Sequence, residues 1–181
     1  PMLAHSWEKR GNPDATYDCQ AKLDGVRAMF NIERGFITRM GKNITSVPHL
    51  ENRTISARTW LDGELYTSKL KFEELSGAVR RSTPGDNSEV IQFHVFDCYL
   101  LDNPDATWRD RLKYLETLTW DRGFELVPTL KNIKGTRVDR LVDEYIKYGF
   151  EGVIARNPQG TYCLNERSAN LLKHKRFHDQ E

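Results

Sequence analysis

The feature that most constrains this chain is a set of short runs in which β-branched and aromatic residues alternate with polar ones: Tyr17 to Ala21, Val26 to Ile32, Phe36 to Met40, Trp60 to Tyr66 and Val90 to Phe96. Alternation with period two sends successive side chains to opposite faces, so each run predicts a half-buried strand. Gly25 and Gly35 fall in the gaps between the first three runs, where tight turns favour glycine, and those three strands are expected to form an antiparallel meander. A helical period appears later. Val138, Leu141, Val142, Tyr145 and Ile146 share one face of a helix expected over Val138 to Tyr148, with Gly149 placed to stop it. Helices are also expected near Leu70 to Arg81 and Trp108 to Trp120. Strands and helices mixed without strict alternation predict an α+β fold, antiparallel sheets flanked by helices.

The turn-rich stretches Ser82 to Asn87 and Asn103-Pro104-Asp105 join elements within a domain, and 181 residues with 38% hydrophobic content predict one domain around one core. The 27 Lys and Arg residues nearly balance 26 Asp and Glu, for a formal net charge of +1. That excludes a globally basic nucleic-acid binder, so contact with a polyanion has to come from local clusters of cations. Cys19, Cys98 and Cys163 are widely spaced with no CxxC, and they are expected to be reduced, packed thiols of a cytoplasmic protein. No apolar run is long enough to cross a bilayer, so no membrane partner is expected. The histidines His5, His49, His94, His174 and His178 lack metal-ligand spacing and are expected to be structural or on the surface.

Chemistry concentrates at Lys22-Leu23-Asp24-Gly25-Val26-Arg27, where one expected strand ends and the next begins. Taken alone, Asp-Gly is also the commonest short hairpin signal and needs no function. Four further fragments follow in order: Asp62-Gly63-Glu64-Leu65, Phe93-His94-Val95-Phe96-Asp97, Glu151-Gly152-Val153-Ile154-Ala155-Arg156 and Leu172-Lys173-His174-Lys175. Thr38-Arg39-Met40-Gly41-Lys42 adds a looser fragment, with Thr where Ser is usual. Over nearly the whole chain this ordered set resembles the motifs of the covalent nucleotidyltransferases, and within them the ATP-dependent DNA ligases.

The resemblance implies an ATP-grasp-like nucleotidyltransferase (adenylation) domain in which Lys22 becomes covalently linked to AMP. A lysine amine must be neutral to attack phosphorus, and a reference pKa near 10.4 makes deprotonation near pH 7.4 cost roughly 4 kcal/mol. Nearby cations and a metal disfavour the ammonium form. Lys173 and Lys175, one residue apart and so on one face of an extended segment, suit that task and the stabilisation of phosphate charge. By the same resemblance Glu64 binds the ribose, Glu151 holds Mg2+, and Asp24 acts later at the nick with its metal. Phe96 stacks on the base, with Phe93 as the core residue of that strand, and Gln20 reads the purine edge. Arg27 and Arg39 offer planar forks to ribose or nick phosphates.

The implied reaction consumes ATP, forms Lys22-AMP, moves AMP to the 5′-phosphate of nicked double-stranded DNA and seals the nick, with the protein acting as a monomer. An OB-fold domain is expected to follow the adenylation domain in this family and is absent from residues 1–181. The alternatives are a GTP-dependent mRNA capping guanylyltransferase, which shares the lysine motif, and an RNA ligase. The EGVIAR fragment and the Leu-Lys-His-Lys form without a tryptophan favour the DNA ligase. A non-catalytic module would use the Asp-Gly turn and a basic C-terminus only for docking, leaving the ordered set of motifs without a reason.

Overall fold

The computed structural model describes residues 1–52 and 54–176, so His178 lies outside the described residues. In chain order its elements are β1 (Leu3–Ser6), α1 (Trp7–Arg10), β2 (Thr16–Lys22), β3 (Val26–Asn31), β4 (Gly35–Thr38), β5 (Asn43–Ile44), β6 (Thr59–Tyr66), α2 (Phe72–Arg80), β7 (Gln92–Leu100), α3 (Trp108–Thr117), β8 (Phe124–Leu126), β9 (Thr129–Lys134), α4 (Gly135–Lys147), β10 (Gly152–Arg156) and β11 (Arg167–His174). The chain forms two compact units where its length suggested one core. The first comprises residues 1–23, 107–109 and 128 onward, the second residues 24–106 and 110–127.

The first unit is built on a five-stranded sheet ordered β1-β11-β10-β2-β9, antiparallel except for the β1–β11 pair. Its core joins Cys19, Val153, Ala155 and Leu172 of the sheet to Val138, Leu141 and Val142 of α4, with Trp7 and Tyr17 closing one side. These are the apolar positions that predicted the helix, and burying each aliphatic side chain contributes about 1.5–3 kcal/mol. Gly149, at φ +88°, follows the helix and donates to the Ile146 carbonyl at 3.0 Å, ending α4 where glycine was expected to end it.

The second unit has a six-stranded sheet ordered β5-β4-β3-β6-β7-β8, antiparallel except for β7–β8. Phe30, Phe36, Phe93 and Phe124 meet edge-on or tilted, with centroids between 4.7 and 6.0 Å apart, and Leu75, Ala78 and Val79 of α2 belong to the same core. The expected meander of the first three strands is not formed. β3 and β4 make the hairpin, but β2 pairs with β10 and β9 in the other sheet. Partners more than a hundred residues away in sequence capture β2, and no local pattern records such a pairing.

Candidate active site

The alternation of β2 divides its side chains into two sets. Tyr17 and Cys19 enter the core with α4, while Asp18, Gln20 and Lys22 share the opposite face. Cross-strand register puts Lys22 opposite Gly152, Gln20 opposite Ile154, and Ile154 opposite Lys173. Glu151 enters just before β10, where its backbone N–H donates to the Lys22 carbonyl at 2.9 Å. Its carboxylate lies between two ammonium groups: Lys22 Nζ contacts Oε2, and Lys175 Nζ donates to Oε1 at 2.9 Å. Burial pushes the Glu151 pKa up, but hydrogen bonds and charge from Lys22 and Lys175 outweigh it and hold the carboxyl below its ordinary range.

This approach depends on Gly152. A Cβ there would lie 2.1 Å from the His174 carbonyl oxygen and 3.0 Å from Lys175 Cα, so only glycine lets β10 and the end of β11 come this close. Lys22, Glu151 and Lys175 are thereby brought together. Lys173 is half-buried on the same face, one strand position along.

Behind Lys22 the β2 face carries a buried polar network. Gln20 is 1% exposed; its Nε2 donates to Thr129 Oγ1 at 3.1 Å, and its Oε1 accepts from Arg156 Nε at 2.8 Å. The Arg156 guanidinium lies 4.3 Å from the Trp108 ring centroid, and Trp108 Nε1 donates to Asp18 at 3.1 Å. Asp18, fully buried, also accepts from the Arg109 fork and from the Asn132 N–H. A buried carboxylate without such donors would cost several kcal/mol. Arg156 and Trp108 thus help hold the strand that ends in Lys22, a role without a local signal in the sequence because their partners lie far away along the chain.

The second unit organises the remaining motif residues. Gly25 passes so close to β6 that a Cβ would sit 2.5 Å from the Leu65 carbonyl oxygen, which gives the Asp-Gly pair a steric reason beyond turn formation. Arg27 is paired in register with Glu64, and its Nε and Nη2 donate to Asp62 at 2.9 and 2.6 Å. Asp62, from the Asp62-Gly63-Glu64-Leu65 fragment, is the buried acceptor that orients the Arg27 fork. The guanidinium also lies 5.3 Å from the Phe96 ring centroid.

Phe96 occupies a bulge. Asp62 pairs with Asp97 and Gly63 with Val95, leaving Phe96 as the extra residue on β7. The bulge lets Val95 and Cys98 both reach the core at odd spacing, while Phe96 remains half-buried. Asp97 fixes this geometry through Arg111, whose Nε and Nη2 reach its two oxygens at 2.7 and 3.1 Å, and through the Cys98 N–H. Phe93, fully buried among Phe36 and Phe124, is the core residue. Arg39 is exposed in a turn that Thr38 organises, its hydroxyl accepting the Met40 and Lys42 N–H groups at 3.3 and 3.1 Å. A serine hydroxyl has the same accepting oxygen. Asp24 is also exposed.

With this geometry in place, comparison with known proteins is decisive. Residues 1–175 match the family model described as the ATP dependent DNA ligase domain. The chain belongs to that family.

The ligase domain is 33% identical over 134 residues to a DNA ligase of African swine fever virus, a match covering 70% of this chain and 31% of that protein. It is 28% identical over 185 residues to a DNA ligase of Haemophilus influenzae, covering 99% of this chain and 65% of that one. The chain thus spans about a third to two thirds of the length of these relatives. Among solved structures, Chlorella virus DNA ligase-adenylate superposes with a TM-score of 0.74 at 22% identity, covering 97% of this chain and 66% of that one. The bacteriophage T7 ATP-dependent DNA ligase in complex with ATP gives 0.72 at 16%, covering 97% and 68%. At such identities the superpositions speak to the fold, and they bear out the α+β nucleotidyltransferase architecture.

Within the ligase domain Cys19 and Cys98 are fully buried, as expected of packed thiols, whereas Cys163 is only half-buried; burial pushes the Cys19 pKa up to about 12, beyond nucleophilic use. No helix among the described residues is long and apolar enough to cross a membrane. No group of three or more His, Cys, Asp or Glu residues among them forms a metal cage. Magnesium does not require one. It keeps several waters and takes one or two carboxylates plus substrate phosphate oxygens, a donor set that Glu151 fits.

Proposed function

We propose that this chain uses ATP to adenylate Lys22 and passes the AMP to the 5′-phosphate of nicked double-stranded DNA, so that the adjacent 3′-hydroxyl can displace it and seal the strand. The observation that carries this reading is the Lys22–Glu151–Lys175 cluster, a lysine at a strand end with a second cation held beside it by a shared carboxylate.

In the first step the Lys22 Nζ lone pair forms the N–P bond to the α-phosphorus, and the bond from that phosphorus to the bridging oxygen of pyrophosphate breaks, its electron pair leaving with pyrophosphate. Lys22 must first give up a proton. Glu151 touches it, but a carboxyl with a lowered pKa is a weak base, so the ion pair is a resting arrangement that nucleotide loading has to replace. A magnesium ion held by Glu151 would supply positive charge beside the phosphate oxygens and favour neutral Lys22. Lys175 and Lys173 neutralise the charge that shifts onto those oxygens during transfer.

Glu64 accepts from the ribose hydroxyls and Phe96 stacks on the adenine. Gln20 reads the purine edge, which requires its bonds to Thr129 and Arg156 to be shared with the base. Arg27 and Arg39 hold ribose or nick phosphates through planar forks, and Asp24 would help hold a metal at the nick, whose charge would favour the reacting phosphate oxygens. The protein acts as a monomer. The test is transfer of label. Protein loaded with radiolabelled ATP and magnesium is given nicked duplex bearing a 5′-phosphate, and the label is expected to move to the DNA 5′ end before sealed product appears. In a parallel incubation with labelled GTP, retention of GMP with none of AMP from ATP would return the capping reading, and absence of transfer would refute the proposal.

A further inference from the structure

We propose that His174 is a positioning residue for nucleotidyl transfer, the anchor that presents Lys175 to the face of the sheet carrying Lys22. This rests on the adenylation reading above. His174 stands between the two lysines at the end of β11, and alternation sends its side chain to the opposite face, where it is 4% exposed. There its ring stacks on Trp7 at 6.0 Å with an interplanar angle of 23°. Nε2 makes a 2.6 Å hydrogen bond with Asp139 of α4. Nδ1 lies 2.7 Å from Glu8 Oε1 of α1 without making an aligned hydrogen bond to it.

Two residues on, Arg176 repeats the device, reaching Asp143 through Nε at 2.9 Å and the Asp139 backbone carbonyl at 3.1 Å. The end of the strand is therefore fastened to two helices by alternate residues, and Lys173 and Lys175, which flank His174, are left on the other face. Lys175 lies just past the last ladder residue, Val153 opposite His174, and the ladder's hydrogen bonds do not hold it. Its direction depends on the side chain before it. A buried imidazole between two carboxylates is an expensive way to fill core volume, since leucine would do so without desolvating a polar ring.

The test is a double-mutant cycle read by single-turnover adenylation across ATP concentrations, per folded molecule. His174→Ala is expected to lower the maximal rate about ten- to a hundredfold while changing the ATP concentration for half-maximal rate much less, the penalty for a misplaced catalytic group. In a Lys175→Ala background the same change should alter the rate only within about twofold, because its effect is transmitted through Lys175. His174→Leu, which keeps packing volume, should retain stability yet lose rate, and His174→Gln, which keeps a donor towards Asp139, should regain most of it. Asp139→Ala, on an exposed side chain, should slow adenylation in the same direction without threatening the fold. Multiplicative losses in the cycle, or a His174→Leu variant at the wild-type rate, would overturn the anchor while leaving the adenylation reading intact. A Lys175→Ala variant with unchanged adenylation would remove the lysine-pair reading and the anchor together.

Discussion

Replacing Gly152 with alanine tests how finely the surroundings of Lys22 are set by backbone packing. The added Cβ would lie 2.1 Å from the His174 carbonyl oxygen, against an ordinary carbon–oxygen separation of about 3.3 Å, so β10 and the end of β11 must part by about 1.2 Å. Overpacking of this kind costs about 1–3 kcal/mol. The opposing gain from a less flexible unfolded chain is about 0.4–1 kcal/mol, so destabilisation wins. The functional cost is larger, because the displaced atoms carry Lys175 on one side and Glu151 on the other. An ångström of misplacement corresponds to about a hundredfold in rate. Gly77 is the control: it lies inside α2, its Cβ would meet nothing within 4 Å, and Gly77→Ala should stabilise by about 0.5–1 kcal/mol with adenylation unchanged. Urea unfolding and single-turnover adenylation of both variants provide the assay. A Gly152→Ala protein with wild-type stability and rate would refute the argument that this close approach positions the site.

Two further outcomes follow from the geometry. Phe96→Ala should weaken adenine nucleotide binding by about 1–3 kcal/mol with little loss of stability, whereas Phe93→Ala should cost about 3–5 kcal/mol of stability; nucleotide titration and denaturant melts on both would show the faces inverted if the pattern reverses. Because the Glu151 pKa is depressed in the fold, its contribution to stability is complete above the unfolded value of about 4.3 and is lost as pH falls through the folded one. Melting temperatures between pH 3 and 7 should therefore drop less steeply on the acid side in Glu151→Gln, and parallel curves would contradict the carboxylate's place between Lys22 and Lys175.

What the sequence displayed was whatever is periodic or contiguous. The stripe of Val138, Leu141 and Val142 announced α4, and the Phe93–Phe96 spacing separated the core ring from the half-buried one, although the bulge at Phe96 left no mark beyond that spacing. The motif residues were legible because they lie within short ordered fragments. Pairing was not: β2 looked like the first strand of a meander, and only distant β9 and β10 explain why Asp18 and Gln20 are buried on the face that alternation would leave to water. The strands β9 and β11 carry little alternation, being mixed in polarity, and pairing within the sheet is what makes them strands. Asp62, Arg111 and Arg156 were unremarkable as single residues; their importance comes from buried charges that must be matched, which is a property of the folded neighbourhood.

The central claim is that Lys22 carries the nucleotide. Purified protein incubated with labelled ATP and magnesium, denatured, and then split between acid and alkali should hold AMP that survives alkali and is lost in acid, as a phosphoramidate behaves, and peptide mapping should find it on Lys22. Lys22→Ala should fold normally and retain none. Equal labelling of the Lys22→Ala protein, or a label mapped to another residue, would contradict the account.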